Sequence, residues 1–287
     1  MAPTIRRERH MLICQLTDLH VRPVGRAANR VCETNMLTER AFRAVARLNP
    51  RPDVVVVTGD LTDCGLDTEY ANLSGMLRTL APMPVFVIPG NHDQRSNLRD
   101  GLKHLPGVTA DPQYVQYAVD DYPVRLVMLD TLVPGAAHGE LAPEQLEFLD
   151  RTLAAAPDKP TIVGMHHPPF ACGMIQDSIN LHNAGAFAAV IARHRQVERI
   201  ICGHHHRAVV ARVAHAIALI SPSVVHQVAM SFPPHDPADH GSLILEPPAF
   251  QLHRWTSADG IVSHTIYVED YPGPFPFLGN PDVPASF

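Results

Sequence analysis

The chain has 287 residues, 46% of them hydrophobic, which is enough to bury the core of one large domain. Its 23 basic and 29 acidic residues give a net charge of −6, and the basic residues are scattered apart from Arg6, Arg7 and Arg9. Proteins that bind a long polyanion usually carry a basic stripe, so this composition argues against a nucleic-acid polymer as partner. Small anionic substrates stay possible, because bound metal ions can supply positive charge locally.

The five cysteines are odd in number and form no C-x-x-C pair, which favours reduced, mostly buried thiols. The apolar stretch at 11–16 is shorter than the core of a signal peptide, and no window approaches the length of a membrane span. We therefore expect a soluble cytoplasmic protein without a membrane partner.

Apolar runs with strand character alternate with helical patterns over the first two hundred residues. Strands are predicted at 11–16, 54–58, 85–89, 125–130, 161–165 and 199–202, and helices at 34–48, 67–80, 143–156 and 184–194. Further strands are predicted at 208–213, 216–221 and 243–246. Alternating βα units followed by consecutive strands favour a layered α/β domain with two sheets.

Five short polar motifs each follow one of these apolar runs. They are Asp18-Leu19-His20, Gly59-Asp60-Leu61-Thr62-Asp63, Gly90-Asn91-His92-Asp93, His166-His167-Pro168 and Gly203-His204-His205-His206. Ligands of open α/β sheets bind outside the carboxyl ends of the strands, so motifs placed there should meet in one site. Each motif alone is a weak signal, but five in order are not. Their Asp, Asn and His side chains suit divalent Mn, Fe, Co or Zn.

Two metal ions a few ångströms apart need about seven protein ligands, one of them a bridging carboxylate. Asp60 is the best candidate for the bridge, because it closely follows a four-valine strand and Gly59 lets the backbone turn there. Asn91 offers a neutral oxygen ligand, and His166 completes the set.

Strand alternation predicts which of the remaining side chains point together. Asp18 and His20 are two residues apart, so both should face the same side at the end of their strand. The same spacing should bring His204 and His206 together and turn His205 aside.

The set D-x-H, G-D-x-x-D, G-N-H-D, H-x-P and G-H-x-H resembles the calcineurin-like metallophosphoesterase superfamily over about residues 11–225. The stretches 51–65, 165–169 and 225–228 look like the bacterial class III phosphodiesterases, which include cyclic nucleotide and glycerophosphodiester phosphodiesterases. The segment 271–276 looks closer to the glycerophosphodiesterase branch. The resemblance implies an α/β/β/α sandwich with a binuclear centre.

The family pattern also implies an assignment of ligands. One metal would be held by Asp18, His20, Asp60 and His206, and the second by Asp60, Asn91, His166 and His204. His166 is preferred to His167 because the family spacing is H-x-P. His92 follows the Asn ligand and, by resemblance, points at the substrate. The expected catalytic residues are therefore His92, Asp60 and Asn91.

The mechanism expected from this resemblance is metal-dependent hydrolysis of a phosphodiester. Two metals neutralise the phosphate charge and lower the pKa of a bridging water, so that hydroxide attacks phosphorus in line. His92 would steady the developing charge or protonate the leaving alkoxide. Asp93 could orient His92 or cap the following helix.

Several other polar residues are assigned secondary roles. Asp63 should hydrogen-bond a ligand histidine, and the segment 172–183 could line the substrate pocket, with Asn183 as a contact. His167, His205 and His226 could either contact the substrate or support the ligands.

Three readings of the function remain open. The first is hydrolysis of small phosphodiesters such as glycerophosphodiesters, and the alternative is 3',5'-cyclic nucleotide hydrolysis. A catalytically silent metal-binding interaction module is a second alternative, which the intact ligands and His92 argue against. A nuclease or protein phosphatase of the same superfamily is disfavoured by the acidic balance and the lack of a large accessory domain.

The predicted organisation is a catalytic domain at 1–230 followed by a proline-rich extension at 231–287. The extension holds ten of the 27 prolines, which disfavours helix and central strand and allows at most a hairpin near 250–268. Its large rings are Phe232, Phe250, Trp255, Tyr267, Tyr271, Phe275 and Phe277. Such rings must pack on their own domain or meet another subunit, so we expect a lid or an oligomer contact and a homo-oligomer.

Overall fold

The computed structural model describes residues 10–233 and 241–275. The helices of these ranges are α1 (Thr34–Arg47), α2 (Asp67–Leu80), α3 (Arg95–Leu102), α4 (Pro143–Ala154), α5 (Ala184–Arg193) and a 3-10 helix at Ile175–Ile179. The strands are β1 (His10–Leu16), β2 (Val54–Thr58), β3 (Val85–Ile88), β4 (Tyr117–Val119), β5 (Arg125–Met128), β6 (Thr161–Gly164), β7 (Val197–Cys202), β8 (Val209–Val213), β9 (Ala216–Ile220), β10 (Gln227–Val228), β11 (Leu243–Ile244), β12 (Ala249–Thr256) and β13 (Gly260–Tyr267).

Most strands of the described residues lie in two sheets. The first has the order β13-β12-β1-β2-β3 and the second has the order β4-β5-β6-β7-β9-β8. Strands β1, β2 and β3 are parallel, as are β5, β6, β7 and β9, so the carboxyl ends of each set lie along one edge of its sheet. The motifs that follow these strands are brought to that edge.

The two sheets pack face to face with helices on the outside. Phe42 of α1, Tyr70 of α2 and Leu98 of α3 belong to the buried cluster around the first sheet. Alternate residues of the second sheet divide between the layers: Ile162 joins this first cluster, whereas Val163 packs in the cluster of α4 and α5. This two-residue period is typical of a strand buried on both faces. The predicted α/β/β/α sandwich is confirmed.

The predicted strands and the four predicted helices are confirmed to within a few residues at their ends. The bounds of α3 were not predicted, because only Leu98 and Leu102 of this helix are buried and the apolar pattern is correspondingly short. None of the helices in the described ranges is long and apolar enough to cross a membrane.

The hairpin expected near 250–268 is present as β12 and β13. The expectation that the extension lacks a central strand is wrong, because β12 lies between β13 and β1 and pairs with β1 from His10 to Gln15. Pro247 and Pro248 precede β12, so no proline interrupts its hydrogen bonds. Phe250 and Trp255 are buried against the first sheet. Phe277 lies outside the described residues.

Candidate metal centre

The loops that follow β1 and β2 are held side by side beyond the ends of the strands. The amide of Asp18 donates to the carbonyl of Gly59 at 3.1 Å, and the amide of His20 donates to the carbonyl of Asp60 at 3.0 Å. These bonds continue the register of the parallel strand pair into the motifs. They bring the carboxylates of Asp18 and Asp60 to the same end of the sheet.

Five proposed ligand residues have left-handed backbone conformations. Their φ angles are 53° at Asp18, 44° at His20, 47° at Asp60, 75° at His204 and 51° at His206. The strand alternation used to predict their directions is therefore wrong, because β1 ends at Leu16 and β7 ends at Cys202. Asp and His tolerate this conformation better than most residues, and such strain clusters at functional sites.

Two glycines of the motifs allow side chains to approach the backbone closely. A Cβ at Gly59, whose φ is +97°, would lie 2.3 Å from Nδ1 of His166. A Cβ at Gly90 would lie 2.1 Å from Oδ1 of Asp60. Any side chain at these two positions would displace a proposed ligand.

Asp18, His20, Asp60 and His206 form a compact group whose ligand atoms all lie within 4.8 Å of one another. The Nε2 atoms of His20 and His206 are 3.2 Å apart, and Nε2 of His206 is 3.4 Å from Oδ1 of Asp18. Ligands bound to one ion at about 2.1 Å are separated by roughly 3.0 to 3.4 Å, so these spacings fit a shared divalent cation.

A second group lies on the other side of Asp60. Nε2 of His166 is 3.1 Å from Oδ1 of Asn91 and 3.4 Å from Oδ1 of Asp60, whereas Oδ2 of Asp60 is 3.7 Å from Nε2 of His20. The two oxygens of Asp60 thus face different groups, as a bridging carboxylate requires. Nε2 of His204 is buried without a hydrogen-bond partner in the described residues, a vacancy that a cation would fill.

Three of the four proposed histidine ligands have their second ring nitrogen bound to an oxygen. Nδ1 of His20 lies 3.2 Å from Oδ1 of Asp63, which confirms the predicted role of Asp63. Nδ1 of His166 and Nδ1 of His206 each lie 2.8 Å from a backbone carbonyl, those of Thr58 and His226. A proton held on Nδ1 leaves the Nε2 lone pair free for a metal.

The charges of the cluster suit cation binding. Burial opposes ionisation of Asp60, but His166, His92 and His20 hold its pKa well below the ordinary value. Burial lowers the pKa of His166, but Asp60 more than reverses this and raises it to about 9, so a metal ion bound at this imidazole would displace a proton. Burial and the neighbouring His167 and His166 lower the pKa of His204 well below its usual value, so its imidazole is neutral, the form that binds metals.

His92 lies at the mouth of a cavity of about 290 Å³ that opens onto both groups. Its Nδ1 lies 2.8 Å from the carbonyl of Asp63, and its backbone amide donates to Oδ1 of Asp60 at 2.9 Å. The ring stands edge-on to His20, with the centroids 4.7 Å apart. His92 is thus positioned beside Asp60, on the wall of this cavity.

Both expectations for Asp93 are wrong. Its carboxylate is buried and accepts from the backbone amides of Leu61, Thr62 and Gly90, from the Thr62 hydroxyl and from the hydroxyl of Tyr70. Gln94, not Asp93, is the residue that precedes the first turn of α3, and it makes no side-chain cap. Asp93 instead ties together the loops that carry Asp60 and Asn91.

His167 and His205 have ring nitrogens bound to groups outside the proposed ligand set, although a ring nitrogen of His167 lies within 4.8 Å of ring nitrogens of His166 and His204. Nδ1 of His167 is 2.7 Å from the Thr131 hydroxyl, and its Nε2 is 3.2 Å from the carbonyl of Ala137. Nε2 of His205 is 2.6 Å from Oδ1 of Asn180, so His205 is turned aside as predicted. The choice of His166 over His167 fits this arrangement.

The cavity lining beyond the proposed ligands was predicted only in part. From the segment 172–183, Gln176 and Ile179 line the cavity, but the expected contact of Asn183 is wrong. Asn183 instead exchanges two hydrogen bonds with the backbone of Leu141. The lining also includes Asn29, His226 and Val228. Asn29 was missed because no ligand motif surrounds it.

Comparison with known proteins assigns the family. A family model described as calcineurin-like phosphoesterase matches residues 11–208. The chain therefore belongs to the calcineurin-like phosphoesterase family, as its motifs predicted.

Individual relatives agree with this assignment. The chain is 31% identical to a probable glycerophosphodiester phosphodiesterase of Arcobacter nitrofigilis, over 93% of this chain and 97% of the relative. It is 37% identical to a probable cyclic nucleotide phosphodiesterase of Rhodopseudomonas palustris, over 87% of this chain and 89% of the relative. These matches confirm the predicted class, a metal-dependent phosphodiesterase.

The fold also resembles that of a solved enzyme. The crystal structure of a dimetal phosphatase from Danio rerio superimposes with a TM-score of 0.61 at 18% identity, over 90% of this chain and 99% of that one. At this identity the likeness concerns the fold alone.

Proposed function

We propose that the chain hydrolyses small phosphodiesters, with glycerophosphodiesters as the main substrates, at a centre of two divalent metal ions. The ligands would be Asp18, His20, Asp60 and His206 for one ion and Asp60, Asn91, His166 and His204 for the other. Mn, Fe, Co and Zn all suit this set of oxygen and nitrogen donors.

The observation that carries the proposal is the position of Asp60. Its Oδ1 faces His166 at 3.4 Å and its Oδ2 faces His20 at 3.7 Å, while the amide of His92 donates to Oδ1. One carboxylate thus touches both ligand groups and the backbone of the candidate acid. A dinuclear hydrolytic centre needs this connection.

Two bound divalent cations would neutralise the charge of the phosphodiester and supply a nucleophile derived from water at neutral pH. The protein supplies the proton for the other end of the reaction. Burial opposes protonation of His92, but Asp60 and Asp63 raise its pKa, which favours the imidazolium. In that form Nδ1 donates to the carbonyl of Asp63 and the second proton lies on Nε2, from which it can pass to the departing alkoxide. Asp63 also braces His20, so it links the acid to the first ligand group.

Glycerophosphodiesters are preferred as substrates because the relative of that name matches nearly its whole length. Cyclic nucleotides are a second candidate, since the relative named for them is 37% identical. The cavity of about 290 Å³ has room for a small diester, and the metal ions would lie at one wall of it.

A substrate panel tests the proposal. Purified protein loaded with Mn, Co or Zn would be assayed with glycerophosphoethanolamine, cyclic AMP, cyclic GMP and a phosphomonoester. Turnover of glycerophosphoethanolamine with the highest kcat/KM supports the main reading, and preference for a cyclic nucleotide supports the second. Metal uptake without turnover of any ester would identify a silent binding module.

We also propose that the chain forms a homo-oligomer through its C-terminal extension and works in the cytoplasm. Phe232, Tyr271 and Phe275 are 59%, 58% and 77% exposed, whereas Phe250 and Trp255 are buried in their own domain. Exposed rings on one segment favour a contact with a second subunit or a lid. All five cysteines are free thiols, which suits a reducing compartment. Light scattering of the full chain tests the oligomer.

A further inference from the structure

Part of the cavity wall comes from the 3-10 helix Ile175–Ile179, which carries no proposed metal ligand. Two of its residues, Gln176 and Ile179, line the cavity together with His92 and the proposed ligand side chains. The phosphate of a diester would lie toward the metals, which leaves such wall residues to contact the alcohol portion of the substrate. Contacts of this kind can distinguish one diester from another.

Gln176 carries a polar atom that nothing in the described residues satisfies. Its Oε1 is buried and has no hydrogen-bond partner there. Buried acceptors are almost always paired, because burying one without a hydrogen bond is unfavourable. An unpaired acceptor on a residue of the cavity wall is satisfied when the amide turns toward the cavity and a ligand brings a donor.

The amide of Gln176 lies close to the backbone of Gly241. A Cβ at Gly241, whose φ is +81°, would lie 2.7 Å from Nε2 of Gln176. Because Nε2 is the far end of a flexible side chain, rotation of the side chain can turn the amide toward the cavity.

Hydrogen bonds link the segment of the 3-10 helix to His205, the residue between His204 and His206. The backbone amides of Cys172 and Gly173 donate to the carboxylate of Asp177 at 2.8 and 2.7 Å. Asn180 donates to the carbonyl of Phe170, and its Oδ1 lies 2.6 Å from Nε2 of His205. His205 stands between His204 and His206, so the distance from Gln176 to the metal centre is set by this chain of contacts.

We propose that Gln176 is a specificity-determining residue, whose Oε1 accepts a hydrogen bond from a hydroxyl group on the alcohol portion of the phosphodiester. The proposal rests on the proposed function and names what the site recognises beside the phosphate. Both glycerol esters and ribose cyclic phosphates carry such a hydroxyl, so the shared chemistry is a small hydroxylated diester. A site built to bind a hydroxyl discriminates against the analogue that lacks it.

Two matched pairs of substrates test this role with the metal-loaded full chain. One pair is glycerophosphoethanolamine and its propyl analogue, and the other is cyclic AMP and its 2'-deoxy analogue. We expect the wild type to prefer the hydroxylated member of one pair by about tenfold or more in kcat/KM. In Gln176→Met, which keeps the length of the side chain but removes the acceptor, this preference should fall to about twofold or less. The pair that responds identifies the alcohol.

Two further variants separate a loss of hydroxyl recognition from a general loss of folding or metal binding. Gln176→Glu keeps an acceptor oxygen, so it should retain the preference within the pair even if its charge weakens binding of all anionic esters. Gln113→Met changes an exposed glutamine on the surface and should leave the preference as in the wild type. Metal content and melting temperature would be measured for each variant.

Equal preference in the wild type and Gln176→Met overturns the inference while leaving the proposed function intact. So does loss of the preference in Gln176→Glu as complete as in Gln176→Met. A wild type that turns over no diester with any of the metals overturns the proposed function, and the role of Gln176 with it.

Discussion

The two ligand groups share Asp60 but differ in charge and support. The first adds a second carboxylate, Asp18, whereas the second adds the neutral amide of Asn91. Both histidines of the first group have Nδ1 bound to an oxygen, whereas in the second group His166 has this support and His204 has a buried Nε2 without a partner in the described residues. A dication is attracted more strongly by two carboxylates than by one. The first group should therefore bind its metal more tightly.

The largest expected effect comes from Asp60→Ala, because this carboxylate alone faces both groups. We expect the variant to lose both metal ions and essentially all diesterase activity. Elemental analysis after gel filtration measures the metal content, with the exposed Asp121→Ala as control. Two metals per chain in Asp60→Ala would show that the bridging assignment is wrong.

His92→Ala tests the part of the site that belongs to neither ligand group. Turnover should fall by roughly 10²- to 10⁴-fold, the usual contribution of a positioned acid, while the metal content stays normal. The loss should be smaller for esters of p-nitrophenol, whose leaving group needs no proton. If every ester suffers equally, His92 acts through binding or charge.

Asn91→Ala and Asp18→Ala address the comparison itself. Asn91→Ala should leave about one metal per chain, because the four donors of the first group remain. Asp18→Ala should weaken the tighter of the two binding steps. Calorimetric titration of metal-free protein with Mn²⁺ resolves the steps. Identical titration curves for the two variants would remove the distinction between the groups.

Asp63→Asn removes the charge that braces Nδ1 of His20. Loss of such an outer partner typically costs 10- to 100-fold in metal affinity, and here it should fall on the tighter step. The same titration measures it, with the exposed Asp67→Asn as control. A change confined to the weaker step would place Asp63 with the other group.

The smallest expected effect concerns acid stability away from the metals. His253 of β12 is fully buried between Oε1 of Gln15 and the hydroxyl of Ser263, and burial, aided by Arg199, lowers its pKa to about 3 from 6.5. A depressed histidine pKa contributes stability above 6.5 that is lost as the pH falls toward 3.

When the pH falls from about 6.5 to about 5, the unfolding free energy of the wild type should therefore decrease by about 2 kcal/mol more than that of His253→Gln. Urea unfolding of the metal-free protein at both pH values measures this, with the exposed His264→Gln as control. If the unfolding free energy of His253→Gln decreases with pH as steeply as that of the wild type, the acid sensitivity belongs to other groups.

The order of strands and helices could be predicted because the apolar runs are long and end in recognisable polar motifs. Helices α1, α2, α4 and α5 present enough buried residues to show helical spacing. The hairpin of β12 and β13 was predicted in place, but proline content concealed that β12 is a central strand. The proline content was averaged over the whole extension, whereas β12 needs only its own eight residues to be free of proline.

The candidate ligands could be predicted from the motifs, but not the backbone that directs them. Left-handed conformations at Asp18 and His206 have no signature in residue spacing, so the geometric reason first given for grouping these side chains is wrong. Asp93 shows the same limit. Its five hydrogen-bonding groups come from four residues in three stretches of the chain that meet only after folding.

The position of the metals relative to Asp60 is the most direct test of the dinuclear centre. Crystals of the full chain grown with Mn²⁺ would give an anomalous difference map at the Mn absorption edge. We expect two peaks, one among Asp18, His20 and His206 and one among Asn91, His166 and His204, each within coordination distance of a different oxygen of Asp60. A single peak, or two peaks of which one does not touch Asp60, would contradict the shared centre.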